Sequence, residues 1–290
     1  MKQVTVISGK GGTGKTSLTA SFASLAENKI IVDCDVDAAD LHILLHPKDS
    51  KMHDYYGGKV VNIDNDLCMT CNQCALHCRY DAITFKDWKY IIDPILCEGC
   101  GVCNYICPVS AFKMEEKKAG QWFESKTSYG TFIHAKLAAG EETSGKLITL
   151  MREKAKVIAK EKNNDLIIID GSPGIGCPVI ASITGVDIVC IITEATVSGL
   201  HDLKRILELV NHFNIKSVVC INKYDLNEAL TEQIEKECEA VGSIVIGKIP
   251  YDTDFYKAQL NGQSIIEYTD NEVSRTISHV WQTLHKELDL

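Results

Sequence analysis

The stretch Gly9-Lys10-Gly11-Gly12-Thr13-Gly14-Lys15-Thr16 limits what this chain can fold into more than any other part of its sequence. An apolar run, 4–7, precedes it, and a helical pattern over 17–27 follows. A strand that ends in glycines lets the backbone turn tightly enough for successive N–H groups to face a polyphosphate, and the helix behind adds the positive end of its dipole. In that setting Lys15 reaches the β- and γ-phosphates and the Thr16 hydroxyl ligates Mg2+, with Gly9, Gly11, Gly12, Thr13, Gly14 and Ser17 as the cradle.

Two further apolar runs end in acids: Ile30-Ile31-Val32-Asp33-Cys34-Asp35 and Leu166-Ile167-Ile168-Ile169-Asp170. Both read as buried parallel strands that deliver carboxylates to the sheet end where ligands sit in open α/β folds. Strand patterns at 187–193, 217–222 and 243–249 then alternate with helical ones at 199–213, 228–240, 253–262 and 271–287. The fold class expected is α/β, a mostly parallel sheet flanked by helices.

Lys10, directly after the first glycine, matches the loop K-G-G-x-G-K-T. Here the sequence resembles the MinD/ParA/nitrogenase-iron-protein group of P-loop ATPases. The resemblance implies ATP with Mg2+ and a homodimer, or a heterodimer with a related ATPase, in which Lys10 crosses to the partner's nucleotide. It further implies that Asp35 polarises the attacking water, that Thr16, Asp33 and Asp170 serve the Mg2+ shell, and that Lys10, Lys15, Asp35 and Asp170 form the catalytic set. Gly171-Ser172-Pro173-Gly174 resembles the family's second switch, and Asp37 and Asp40 fall in its first. Asn222 matches the family's adenine contact, and Pro250 and Asp252 its second base-side loop. Asn222-Lys223-Tyr224-Asp225 also fits the guanine-reading N-K-x-D, so GTP stands as the alternative.

From about residue 62 the composition changes. Cys68-x2-Cys71-x2-Cys74-x3-Cys78 is answered by Cys97-x2-Cys100-x2-Cys103-x3-Cys107-Pro108, an internal repeat that takes eight of the 13 cysteines. It resembles the bacterial two-cluster ferredoxin, in which the fourth cysteine of each run ligates the other cluster. The resemblance assigns one 4Fe-4S cluster to Cys68, Cys71, Cys74 and Cys107, and a second to Cys97, Cys100, Cys103 and Cys78. Paired C-x2-C motifs also make zinc sites, the competing reading. Arg79 stands where the ferredoxin pattern has proline, and Ile83, Phe85, Ile91, Ile92, Val102, Ile106 and Phe112 are the expected apolar shell. The resemblance then narrows to MinD-superfamily ATPases with an inserted ferredoxin domain: 1–60 and 115–290 as the P-loop ATPase domain, 61–114 as a small α+β ferredoxin-like insert.

Thirty Lys and Arg against 39 Asp and Glu give a formal charge of −9, which argues against a broad nucleic-acid-binding face. No apolar run approaches the ~20 residues of a membrane span, and the sequence begins on strand residues, so a cytoplasmic protein is expected. The closing amphipathic pattern, Val273, Ile277, Val280, Trp281, Leu284 and Leu288, has few flanking basic residues and is expected to pack on the sheet rather than bind membrane.

Residues 115–145 read as loops around a short element, with Thr143 or Ser144 capping a helix that runs to Glu161 and His134 in a packing or surface role. Cys177 lies where the nitrogenase iron protein carries a cluster-ligating cysteine; with no second such cysteine here, a small buried thiol is expected. Cys34, Cys190 and Cys220 sit in strand patterns and pack, and no C-x2-C follows Cys107. The leading functional expectation is an ATP-hydrolysing dimer that gates electron transfer through two 4Fe-4S clusters to a redox partner. The rivals are an iron-sulfur or metallocentre assembly factor that passes clusters to an accepting protein, and a positioning ATPase with a redox sensor.

Overall fold

Strands that are apolar at every position must be covered on both faces, and the computed structural model, which describes residues 1–138, 141 and 144–290, is built around such strands. The chain begins β1 (Lys2–Ser8), α1 (Lys15–Leu25), β2 (Lys29–Asp33), α2 (Leu41–Leu45) and β3 (Lys48–Ile63). The cysteine region holds α3 (Gln73–Leu76), β4 (Ile83–Lys86), β5 (Lys89–Ile92) and α4 (Val102–Ile106). Next come β6 (Phe112–Thr127), β7 (Gly130–Leu137), α5 (Ser144–Lys162), β8 (Leu166–Asp170), α6 (Cys177–Ile183), β9 (Ile188–Glu194) and α7 (Val197–His212). The chain closes with β10 (Lys216–Asn222), α8 (Glu228–Ala240), β11 (Ile244–Ile249), α9 (Asp254–Leu260), α10 (Ile265–Tyr268) and α11 (Glu272–Glu287).

Two compact units emerge: 1–53, 122–136 and 144–290 form the first, and 54–121 with 137–143 the second. The main sheet has the order β11-β10-β9-β1-β8-β2-β7-β6-β3, and every pairing from β11 to β7 is parallel. The α/β expectation holds. Because β1 lies between β8 and β9, the C-terminal ends of β1, β2 and β8 open side by side, where an open sheet binds its ligand.

On one face of the sheet, Leu18 and Phe22 of α1 meet Val273, Ile277, Val280, Trp281 and Leu284 of α11, with the Phe22 and Trp281 ring centroids 5.5 Å apart. Each such side chain contributes about 1.5–3 kcal/mol by leaving water. The last helix therefore packs on the sheet. Among the described residues no helix is long and apolar enough to cross a membrane.

The 115–145 expectation fails. Instead of loops around a short element, β6 and β7 are long strands joined by a turn at Ser128 and Tyr129, and β3 is a third long strand that the sequence did not suggest. Their charged runs, such as Glu115-Glu116-Lys117-Lys118, hid the strand character that sheet pairing imposes. Ser144 opens α5, whereas Thr143 lies outside the described residues.

In the second unit, Val61, Cys74, Ile83, Tyr90 and Phe112 form the buried centre. Three expected shell residues are instead largely exposed, Phe85 at 49%, Ile91 at 49% and Val102 at 40%. The two cysteine runs are matched at backbone level. Thr70 and Asn72 flank Cys71 with φ of 59° and 63°, and Gly99 and Gly101 flank Cys100 with φ of 61° and 78°. The two halves are also cross-tied: Asp64 N–H donates to Ala111 O at 2.7 Å, and Asp93 N–H to Ala82 O at 2.8 Å.

Candidate functional site

The glycine loop is held open from outside. Ser8 Oγ donates to Lys10 O (2.9 Å), Lys223 Nζ to Gly12 O (3.2 Å) and Asn222 Nδ2 to Thr13 O (2.8 Å). Among the described residues, the backbone N–H groups of 11–16 donate to no protein acceptor, which leaves them for an anion. Gly14 caps α1 in the left-handed region at φ 90°, and a Cβ there would stand 2.5 Å from Asn222 Nδ2. A Cβ on Gly9 would collide with Asp202 of α7, so both glycines are required by shape.

The parallel register sets Asp33 of β2 beside Asp170 of β8, and Cys34 N–H bonds to Asp170 O at 2.8 Å. Lys15 Nζ lies 2.9 Å from Asp170 Oδ1 and 3.2 Å from Asp35 Oδ2. Thr16 Oγ1 donates to Asp170 Oδ2 (3.0 Å), and Thr19 Oγ1 to Asp170 Oδ1 (2.8 Å). Burial works against the Lys15 charge, but Asp170 and Asp35 outweigh it and raise its pKa. Burial raises Asp35, with Lys15 opposing. Burial and then the neighbouring Asp170 push Asp33 well above the carboxylate range. Asp33 Oδ2 is buried without a partner. Three carboxylates around a single ammonium leave a deficit of positive charge that a divalent cation would fill.

Lys10 is placed unexpectedly within its own chain. Its Nζ pairs with Glu194 Oε1 and donates to Ser198 Oγ at 2.8 Å, while Lys223 Nζ lies 3.1 Å from Glu194 Oε2. Burial would raise the Glu194 pKa, yet the two lysines hold it below the usual value. The sequence reading missed Glu194, although it ends an apolar strand just as Asp33 and Asp170 do.

Two cavities make the cleft. One, of about 290 Å3, is lined by the loop, Asp35, Asp40 and Pro173. The other, of about 400 Å3, is lined by Asn222, Pro250, Tyr251, Asp252, Phe255 and Tyr256. A larger cavity of about 660 Å3 lies elsewhere, between Glu27, Asp165 and Trp281, but it has no cation and no glycine loop, so the smaller pair is the better candidate. Asp225 lines neither half of the cleft, and its Oδ1 accepts from Tyr251 N–H at 2.7 Å. Cys177 is exposed at the start of α6, which corrects the expectation of a buried thiol. Cys34, Cys190 and Cys220 are buried as expected. His134 is stacked between Phe123 and Phe132, with Nε2 2.9 Å from Ser125 Oγ, in a packing role.

In the second unit the eight cysteines fall into two groups. Cys68, Cys71, Cys74 and Cys107 line one cavity with Tyr90 and Phe112, and Cys78, Cys97, Cys100 and Cys103 line another with Val61 and Ile83. The Ala111 N–H donates to Cys107 Sγ at 3.3 Å. Among the described residues no three His, Cys, Asp or Glu side chains converge closely enough to hold one metal ion. Mg2+ does not need such convergence, since it is usually bound through one or two carboxylates and substrate phosphates.

A family model described as the CobQ/CobB/MinD/ParA nucleotide binding domain matches residues 4–265. An uncharacterized protein of Methanocaldococcus jannaschii is 34% identical over 285 residues, covering 97% of this chain and 96% of that one. The pyruvate synthase subunit PorD of Methanothermobacter marburgensis is 43% identical over 56 residues, 19% of this chain and 65% of its own. Among solved structures, the septum site-determining protein MinD of Pyrococcus horikoshii, complexed with Mg-ADP, superposes with a TM-score of 0.60 at 16% identity. It covers 98% of this chain and 96% of its own, a likeness of fold.

Proposed function

Because the chain belongs to the CobQ/CobB/MinD/ParA nucleotide-binding family, we propose that it binds and hydrolyses ATP and couples that cycle, as a dimer, to electron transfer through two 4Fe-4S clusters. The observation that carries the nucleotide half is the loop with its unbonded N–H groups above Lys15, Asp35 and Asp170. Lys15 would exchange its carboxylate partners for the triphosphate, Thr16 and Asp170, with Asp33 behind them, would hold Mg2+, and that ion would supply neutralisation of charge on the phosphate oxygens. Asp35 orients a water that attacks the γ-phosphorus as the bond to the β-phosphate oxygen breaks, giving ADP and phosphate. Lys10 leaves Glu194 for the nucleotide of the second subunit. Adenine is favoured over guanine because Asp225, the carboxylate that would read guanine, is engaged by the Tyr251 backbone.

Two groups of four thiols, in an apolar shell and cross-tied as a repeat, support a reading of two 4Fe-4S clusters, one on Cys68, Cys71, Cys74 and Cys107 and one on Cys78, Cys97, Cys100 and Cys103. Such clusters supply one-electron carriage. The likeness of this segment to a pyruvate synthase subunit supports an oxidoreductase as redox partner. A second reading, cluster delivery, is favoured by one feature: Cys71 and Cys100, the second cysteine of each run, are exposed. Anaerobic purification followed by EPR of the reduced protein, with and without Mg-ATP, tests the proposal. Coupling predicts that nucleotide alters the cluster signals or the rate of acceptor reduction. Signals and rates that ignore nucleotide refute it, and transfer of iron and sulfide to an apo-protein favours delivery.

A further inference from the structure

The cavity of about 660 Å3 lies where β8 begins and α1 ends, at the end of the sheet away from the glycine loop. Its size is that of a small-molecule site, about 300–1,000 Å3. One wall is acidic, with Glu27 and Asn28 after α1 and Asp165 before β8. Asn28 Nδ2 holds Asp165 Oδ2 at 2.6 Å. Among the described residues Asp165 Oδ1 and the Glu27 carboxylate then have no hydrogen bond or ion pair, and no lysine or arginine lines the cavity. Lys29, two residues from Glu27, donates instead to Ala26 O at 2.7 Å. Lys2, whose N–H bonds to Asp165 O, has its Nζ 3.8 Å from Asp289 Oδ2.

The opposite wall is one face of α11, with Ser278, Trp281, Gln282 and His285 at i, i+3, i+4 and i+7. Trp281 is only 6% exposed, and a buried indole N–H ordinarily finds an acceptor. Among the described residues this one has none, yet its Nε1 is not sealed from solvent, so it opens on the cavity that the residue lines. The Gln282 and His285 side chains also make no hydrogen bond among the described residues, and the His285 ring stands edge-on to Trp281 at 5.9 Å. Carboxylates lacking a cation thus face an indole lacking an acceptor.

We propose that this cavity binds a small organic cation, an amine or guanidinium that also carries a neutral carbonyl, as an amidated basic amino acid does. The cationic group pairs with Glu27 and the free oxygen of Asp165, and the carbonyl accepts from Trp281 Nε1–H. A second negative charge on the ligand is disfavoured, because the lining already has two carboxylates and no lysine or arginine. The indole bond is a neutral one, which predicts a preference of about three- to ten-fold for a ligand that has the carbonyl over one that lacks it. This site stands apart from the nucleotide and cluster readings and depends on neither.

The test is calorimetric titration of the full-length protein, purified anaerobically, with argininamide, with agmatine, which lacks the carbonyl, and with free arginine, whose carboxylate replaces the amide. Wild type should bind argininamide more tightly than either of the others. Glu27→Gln should weaken argininamide and agmatine by the same factor. Trp281→Phe, which keeps a ring but removes the N–H, should bring argininamide down to the affinity of agmatine and leave agmatine unchanged. No saturable binding of argininamide, equal affinity for argininamide and agmatine, a preference for free arginine, or binding that Glu27→Gln leaves intact each overturns the proposal. Glu27 is exposed, so thermal melts of Glu27→Gln should match wild type. If Trp281→Phe fails to fold, the three-ligand order in wild type and the Glu27→Gln loss still decide the matter.

Discussion

Single side chains at this site are informative because so many are buried with opposing charges. Glu194 carries two ammonium partners, one from the glycine loop and one that also holds Gly12 O. Replacing it with alanine leaves both lysines without their carboxylate partner, and urea denaturation should show a loss of about 1–3 kcal/mol, with Glu194→Gln milder. His134 offers a pH readout. Burial, with a smaller contribution from His42, lowers its pKa to about 4. The folded state therefore resists the protonation that the unfolded chain accepts near pH 6.5. Its contribution to stability is complete above pH 6.5 and falls as pH drops toward 4, by up to about 2–3 kcal/mol. Denaturation curves of His134→Phe, which keeps the aromatic stack, should be flatter across that window than those of wild type.

At the scale of elements, the sequence was legible wherever pattern and chemistry coincided. The loop between β1 and α1, and the acids that end β2 and β8, could be placed because an apolar run stopping at a carboxylate has few other uses. The same signal at the end of β9 went unread because no motif drew attention to Glu194. β3, β6 and β7 were invisible because their strand character comes from pairing partners that composition does not announce. In the cysteine region the ferredoxin resemblance implied the cross-grouping of the thiols, but nothing in the sequence indicated that Val61 and Tyr90 wall their cavities while Phe85 and Ile91 face outward. The cross-grouping gives a direct prediction. Cys78→Ser should damage the centre built on Cys97, Cys100 and Cys103, although it lies in the other run. Iron and EPR analysis should then show one 4Fe-4S signal lost or converted, and the signal of the centre that includes Cys74 retained.

For the whole molecule, the family fold and the placement of Lys10 lead to a prediction about assembly. Sedimentation of the anaerobic protein should show dimer rising with Mg-ATP and not with Mg-ADP, and Lys10→Ala should remain monomeric with either. A population shift of this kind requires only a few kcal/mol of differential affinity, which contacts to the γ-phosphate can supply.

The order of the sheet also has a temporal side. β1 is made first, yet both of its neighbours, β8 and β9, come after the entire cysteine-bearing unit has been synthesised. At about 5–20 residues per second, a nascent chain exposes the eight thiols of its two cysteine runs outside the ribosome before either neighbour of β1 exists. On the cluster reading proposed above, iron delivered during translation would meet these thiols while the nucleotide cleft is still unbuilt, and the direction of reading along the messenger would set which cargo the young polypeptide takes on first.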